Sequence, residues 1–130
     1  MEVKVMLNNL RTAPRKSRMV ADLIRSKTVA NARMLLEFTV KKPTDPILKL
    51  LNSAVDSAVK NFKLKESYLY IHKITVDEGT KLKRWHAMSR GRAYPIMKRT
   101  SHITLVLGEI TNNKSQITNK SKKLNSKSNT

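Results

Sequence analysis

Three histidines, His72, His86 and His102, are the side chains of this sequence best suited to proton transfer or metal ligation. No two of them stand at a local metal-ligand spacing, and His72 and His102 fall in segments that read as strands. There a histidine is more often a hydrogen-bonded structural residue. Asp77 and Glu78 are adjacent carboxylates, but neighbours on a strand point to opposite faces, which separates them as an acid–base pair. They read better as flanking the turn into a ribbon. Gly79, Gly91 and Gly108 are too widely spaced to build a phosphate-cradling loop. Cysteine is absent, which removes disulfides and thiolate zinc sites. No nucleophile stands beside a base. The sequence reads as non-enzymatic, with no cofactor and no metal expected.

What remains is the chemistry of binding. The stretch from Gly79 to Arg99, GTKLKRWHAMSRGRAYPIMKR, holds seven cations (Lys81, Lys83, Arg84, Arg90, Arg92, Lys98, Arg99) and no acid. Arg84-Trp85-His86 and Arg90-Gly91-Arg92-Ala93-Tyr94 interleave cations with planar rings. Lys and Arg neutralise phosphates, while Trp85, His86 and Tyr94 can stack on unpaired bases. Cross-strand packing is the competing role for Trp85. Gly91 permits a tight turn or close backbone approach at the end of such a ribbon.

The whole chain has the same bias. Its 130 residues suffice for one domain with a modest core, and with 39% hydrophobic but only 5% aromatic residues that core must be mostly aliphatic. Lys plus Arg total 27 against 9 acids, a net charge of +18. Such a surplus repels itself and calls for an anionic partner, nucleic acid or an anionic membrane. The N-terminal MEVKVMLNNL lacks the apolar run of a signal peptide, and no stretch approaches a membrane span. A soluble, non-secreted protein is expected.

The elements that must carry the basic stretch follow from periodicity. Val3, Val5 and Leu7 alternate with Lys4 and Met6, which predicts a strand over Glu2–Leu7. A helix is expected from Pro14, capped by Thr12, with Met19, Val20, Leu23 and Ile24 on its apolar face and Arg15, Arg18, Asp22 and Arg25 on another. Arg11 and Lys16 add charge at the helix start, where cations oppose the dipole, so these side chains suit an external anion. A second helix is expected over Val29–Phe38 behind Thr28, buried through Ala32, Leu35 and Leu36. A third, the spine of the core, starts with Asp45 as cap and Pro46. It runs through Ile47, Leu48, Leu51, Ala54, Val55, Ala58 and Val59 to Phe62. Two β-rich runs, Tyr68–Val76 and Ile96–Leu107, should pair antiparallel and make Gly79–Arg99 the outer part of a hairpin. About twelve residues per side give a ribbon of roughly 40 Å. An isolated two-stranded ribbon is marginal in water. This one would persist only with anionic surroundings on several sides, as in a crevice of folded RNA. From Thr111 to Thr130 the sequence has five Lys, no acid and only Ile117 and Leu124 as apolar residues, so 111–130 is expected to be a disordered basic tail.

The segments APRKSRMVADLIRSK (13–27), LLNSAVDSAVKNF (50–62), ITVDEGTKLKR (74–84), GRA (91–93) and KRTSHITLVL (98–107) resemble, in order and spacing, the bacterial-type large-subunit ribosomal protein family numbered twenty-two. The resemblance covers roughly residues 1–110. It implies an α+β fold: three helices packed on a small three-stranded antiparallel sheet, with a long extended β-hairpin. It also implies a structural constituent of the large ribosomal subunit, supporting assembly, with large-subunit ribosomal RNA and neighbouring ribosomal proteins as partners. The hairpin tip would line the nascent-peptide exit tunnel. By matching positions it implies RNA contacts at Arg11, Arg15, Lys16 and Arg18, at Lys83, Arg84, Arg90, Arg92, Lys98 and Arg99, and at Thr100, Ser101 and His102. Lys81, Trp85, His86 and Tyr94 join them from the charge and ring pattern. Trp85, His86, Ala87, Met88, Ser89 and Arg90 form the tunnel-facing tip, in contact with the nascent peptide. This chain departs from the family at that end: Thr80 stands where Pro is common, Ala87-Met88-Ser89 where a Pro-Arg-Ala run is common, and Pro95 where a basic residue is frequent. Location in a cytoplasmic ribosome, bacterial-type or organellar, follows from the resemblance, with no membrane and no homo-oligomer expected.

Two other readings share the charge. A nucleoid-type DNA-binding protein would fit it, but no helix-turn-helix or finger pattern is present. A peripheral membrane protein would need a helix with one apolar and one Lys/Arg face, which these helices lack.

Overall fold

The computed structural model of the protein describes residues 2–110. The chain runs β1 (Glu2–Leu10), α1 (Pro14–Ile24), α2 (Val29–Phe38), α3 (Thr44–Phe62), β2 (Leu69–Ala87) and β3 (Ala93–Glu109), with single 3₁₀ turns at Glu66–Tyr68 and Ser89–Gly91. The three strands form one antiparallel sheet in the order β1-β3-β2. The α+β fold and the long hairpin are as expected. The expectation for 111–130 lies outside the described residues.

The core is aliphatic. Val20, Ala21 and Ile24 of α1, Val29, Ala32 and Leu36 of α2, and Ile47, Leu51, Ala54, Val55 and Ala58 of α3 meet Ile71, Ile74, Ile103, Leu105 and Leu107 of the sheet. α3 supplies more buried residues than either other helix, and Ala54 and Ala58 have no exposed surface, so α3 is the spine. Alternate residues of β3 from Ser101 to Leu107 are buried, the period-2 signature of a half-covered sheet.

Several local expectations are corrected. β1 continues to Leu10, and the Thr12 N–H closes a turn onto the Leu10 carbonyl at 2.7 Å. Thr12 is therefore buried in that turn, and Ala13 takes the cap position of α1 with no side-chain bond. Met19 and Leu23 are 58% and 48% exposed, because the buried stripe runs through Pro14, Ser17, Val20, Ala21 and Ile24 instead. α3 starts at Thr44 with Pro43 as cap, which moves Asp45 into the first turn, where a carboxylate complements the helix dipole. Val59, Phe62 and Leu35 are also partly exposed, at 43%, 44% and 40%.

Candidate nucleic-acid interface

Beyond Glu78 the sheet narrows to two strands. β2 and β3 stay paired out to Ala87 and Ala93, and the turn is completed by Arg90 at φ 60° and Gly91 at φ 70°. Two consecutive left-handed residues reverse the chain, and glycine takes one of them without steric cost. From Thr80 to Arg99 no residue is buried, and only Ile96 is partly covered.

Register assigns the side chains to faces, since residues directly opposite in an antiparallel pair share a face and successive pairs alternate. Lys81 opposite Arg99, Lys83 opposite Met97, and Trp85 opposite Pro95 lie on one face. Leu82 opposite Lys98, Arg84 opposite Ile96, and His86 opposite Tyr94 lie on the other. Both faces thus combine cations, an apolar stem and an aromatic ring. Trp85 and Tyr94 are 70% and 60% exposed, so each ring presents its area outward.

The ribbon's departure from the domain is built by irregular pairing. β2 has one extra residue between Glu78 and Lys81 against Ser101 and Arg99 of β3, and β1 has one extra between Leu7 and Leu10 against Ile103 and Ser101. Such bulges bend the strand and increase its local twist. The Thr100 hydroxyl donates to the Thr80 carbonyl at 2.8 Å, closing the β2 bulge. A Cβ on Gly79 would fall on that hydroxyl, so the bulge needs glycine there. On β1, Asn9 has φ 56°, and its N–H donates to Nδ1 of His102 at 3.1 Å. Ser101 is fully buried, with its hydroxyl 3.3 Å from that of Ser17 in α1. Arg18 donates from Nε and Nη2 to the Val76 carbonyl, both at 3.2 Å, tying α1 to β2 just before the bend. Thr100, Ser101, His102 and Arg18, anticipated as RNA contacts, are thus engaged in holding the ribbon's base, and Ser101 has no surface to offer an anion.

The remaining cations converge or fan outward. A cleft of about 600 Å³ lies between the loop entering α1 and the ribbon, and Arg11, Arg84, Lys98 and Arg99 line it with Ala13, Leu82, Met97 and Thr100. Half of its lining is cationic and none is acidic. Arg15 and Lys16 are exposed on the first turn of α1. Lys81 lies 3.0 Å from Glu78. The hydrogen bond and charge of Lys81 hold the Glu78 carboxyl below the usual carboxylate range, with Arg99 and Arg18 adding to the effect. Among the described residues the other six ribbon cations have no acidic partner. Arg90 and Arg92 stand at the tip, too far along the ribbon to join the cleft.

Two of the three histidines, His72 and His102, are engaged in structure, while His86 is exposed on the ribbon. His72 lies between the Tyr70 hydroxyl, 3.2 Å from Nδ1, and Glu2, 3.5 Å from Nε2. Among the described residues no three His, Asp or Glu side chains converge as a metal site would require, and no helix is long and apolar enough to cross a membrane. Sequence reasoning passed over Lys41 and Lys42, exposed in the short connection between α2 and α3. The signal was present as two adjacent lysines before Pro43, in a connection with little room to turn them inward.

The family model described as ribosomal protein L22p/L17e matches residues 5–108. Among similar known proteins, a large ribosomal subunit protein uL22 of Onion yellows phytoplasma (strain OY-M) is 49% identical over 109 residues, 84% of each chain. Its counterpart in Mesoplasma florum is 47% identical over 109 residues, covering 84% of this chain and 97% of the relative. That of Metamycoplasma hominis is 51% identical over 102 residues, 78% and 79% of the two chains.

Proposed function

The chain belongs to the ribosomal protein L22p/L17e family, and from that premise we propose that its ribbon threads a crevice of large-subunit ribosomal RNA while its helical domain rests on the RNA surface. As a member it is a structural protein of the large ribosomal subunit, not an enzyme. The observation that carries the RNA reading is the distribution of ribbon charge. Lys81, Lys83 and Arg99 occupy one face and Arg84 and Lys98 the other, with no acid between Gly79 and Arg99. A flat anionic surface would neutralise one face and leave the other unpaired. A crevice with phosphates on both walls neutralises both, and its unpaired bases give Trp85 on one face and Tyr94 and His86 on the other something to stack on. A DNA groove fits less well, because a two-stranded ribbon laid in it exposes one face to solvent.

Anchoring is then shared between the ribbon and the cleft at its base, through Arg11, Arg84, Lys98 and Arg99. The tip, Trp85 to Arg90, takes in the outermost ladder pairs and the turn, and lines the path of the nascent peptide. This assignment rests on the family likeness together with the tip's exposure. Assembly of the subunit is supported by the same contacts, which hold separate RNA segments along the ribbon's two faces.

The test has two arms. Replacing Arg84, Lys98 and Arg99 by Ala should flatten the logarithmic dependence of RNA affinity on salt by about 2 to 3 units, because each lost phosphate contact removes a released counterion. An unchanged slope would mean that the ribbon does not meet phosphate. Deleting Trp85–Ser89 should leave subunit yield near normal and change the response of translation to tunnel-binding drugs or arrest peptides. Failure of assembly on that deletion would make the tip an anchor rather than a wall.

A further inference from the structure

The two outer edges of the sheet are closed differently within the domain. On β2, the Ile71 N–H donates to the Lys27 carbonyl at 2.9 Å, Thr28 bridges to Tyr70, and the Val76 carbonyl accepts from Arg18. The chain after α1, and α1 itself, thus occupy that edge. On β1, no backbone group from Glu2 to Leu7 bonds to anything but β3 among the described residues. The contacts on β2 also fix which groups of β1 are free. Opposite residues of an antiparallel pair exchange either both hydrogen bonds or neither, and the two kinds alternate. Ile71 and Val76 point away from β3, so their partners Leu107 and Ile103 turn their own groups toward β1. Val3, Val5 and Leu7 therefore complete the ladder, while Lys4 and Met6 between them direct N–H and C=O outward.

A cleft of about 590 Å³ runs along this open edge, between β1 and α3. Val5, Met6 and Leu7 all line it, and three consecutive residues of a strand meet one cleft only along the strand's edge. Val5 and Leu7 lie on the helix-facing side yet stay partly exposed, and Pro46 and Leu50 of α3 complete the apolar part of the lining. Lys42, Asp45 and Lys49 supply the polar part, so this cleft carries both signs of charge, unlike the acid-free cleft at the base of the ribbon.

We propose that β1 takes up an extended segment of a neighbouring protein of the large subunit as a fourth strand of the sheet. The open edge offers donors and acceptors together, and a peptide backbone satisfies both. An RNA phosphate only accepts, and would leave the outward carbonyls unmet. The regular register runs from Glu2 to Leu7 and ends at the Asn8–Asn9 irregularity, which limits the added strand to about six residues, roughly 20 Å. Alternate side chains of that segment enter the cleft and are apolar, to meet Val5, Leu7 and Leu50. Those between stand beside Lys4 and Met6 on the uncovered face of the sheet, where an acid opposite Lys4 is favoured. The proposal rests on membership of the subunit and is independent of the ribbon's RNA contacts.

The experiment places a photoreactive phenylalanine analogue at Ser53, exposed on the α3 side of the cleft, in the full chain assembled into large subunits. The expected result is a cross-link to one segment of another protein, in which apolar residues alternate. A cross-link to RNA, to a second copy of this chain, or to nothing overturns the proposal. A protein that merely covered the cleft would also cross-link, so a second step adds Met6→Pro. Proline there removes an outward N–H and leaves the β3 ladder intact, as at other sheet edges. It should lower the cross-link yield roughly tenfold, the equivalent of one or two lost ladder hydrogen bonds. An unchanged yield overturns strand addition. Exchange of the Lys4 and Met6 amides in the unmodified chain keeps the test open if the proline variant fails to assemble. It should be fast in the free protein and slower by roughly tenfold or more in subunits. Equal rates in the two states overturn the pairing.

Discussion

Strand β3 crosses two environments. From Ile103 to Leu107 its alternate side chains have essentially no contact with water, covered by helices on one side and flanked by β1 and β2 at its edges. From Ala93 to Arg99 the same strand has one neighbour, no covering layer, and only Ile96 partly shielded. All twenty side chains of the buried apolar core belong to the domain, none to Gly79–Arg99. β3 pairs with β2 in both halves, but only the domain half also pairs with β1 and lies under helices, so the domain half is held by apolar burial and a second ladder, the ribbon half by one ladder whose hydrogen bonds water can replace. The ribbon's unopposed cations work against it further. The domain should therefore be stable on its own, and on the proposed RNA reading the order of the ribbon should depend on the partner that neutralises it.

The largest expected effect tests that division. Replacing Leu51 or Ile103, both with no exposed surface, by Ala should cost about 2 to 5 kcal/mol in denaturant unfolding of the full chain. Leu82→Ala and Trp85→Ala should change stability by no more than about 0.5 kcal/mol, as surface substitutions do. In the free protein, amide relaxation should show nanosecond disorder between Thr80 and Pro95 with three ordered helices. A rigid free ribbon, or a destabilising Trp85→Ala, would mean that the ribbon has cohesion of its own.

The boundary between the halves is the next place to look. Gly79→Ala puts a methyl group on the Thr100 hydroxyl that closes the bulge. Overpacking of this kind costs roughly 1 to 3 kcal/mol. The expected consequence is a moderate loss of stability together with a redirected ribbon, read as lower incorporation into subunits. Adding Thr100→Ala should relieve part of the loss, because it removes the nearest of the atoms the methyl meets. If Gly79→Ala alone is neutral, the bulge is softer than its close contact indicates, and it does not aim the ribbon.

Much of this was legible from periodicity, and what escaped has a common cause. The limits of α2 and the end of α3 at Phe62 follow from apolar spacing, because burial against a sheet imposes that spacing on the sequence. The hairpin was legible from two β-branched runs around a cationic segment, and its family from motifs in order. The bulges at Asn8–Asn9 and Gly79–Thr80 were not, since they depend on the pairing of residues far apart in sequence. The same holds for the caps: Thr12 has the right chemistry, but β1 runs on to Leu10 and draws it into a turn. Charge alone cannot separate a cation that faces a partner from one that braces the fold. Arg15 and Arg18 differ only in that Arg18 reaches a carbonyl on a strand 58 residues away in sequence.

That pair gives a finer test. Arg15→Ala with Lys16→Ala should leave unfolding nearly unchanged and flatten the salt dependence of RNA affinity by about 1.5 to 2 units. Arg18→Ala should instead cost about 1 kcal/mol of stability through the lost Val76 contact, with little change in slope. Equal slope changes at all three positions would return Arg18 to the interface.

The smallest effect belongs to Glu78, the acid at the point where ribbon and domain meet. Its pKa is lowered first by the hydrogen bond and then by the charge of Lys81, with Arg99 and Arg18 contributing at longer range. A carboxyl whose folded pKa lies below its unfolded one binds its proton more readily in the unfolded chain, so its contribution favours the folded state only while it is ionised. That contribution is fully present above the ordinary glutamate range and disappears as the pH falls through the lowered pKa. The group faces solvent and is screened by salt, so the difference should be small. Comparing Glu78→Gln with the unmodified chain across an acid titration of stability, the two curves should separate near neutrality and converge at low pH, with the gap shrinking as salt is raised. The same substitution frees Lys81, among the described residues the one ribbon cation with an acidic partner, and should steepen the salt dependence of RNA affinity. A gap that persists unchanged in strong acid would mean that Glu78 acts through packing at the bulge rather than through its charge.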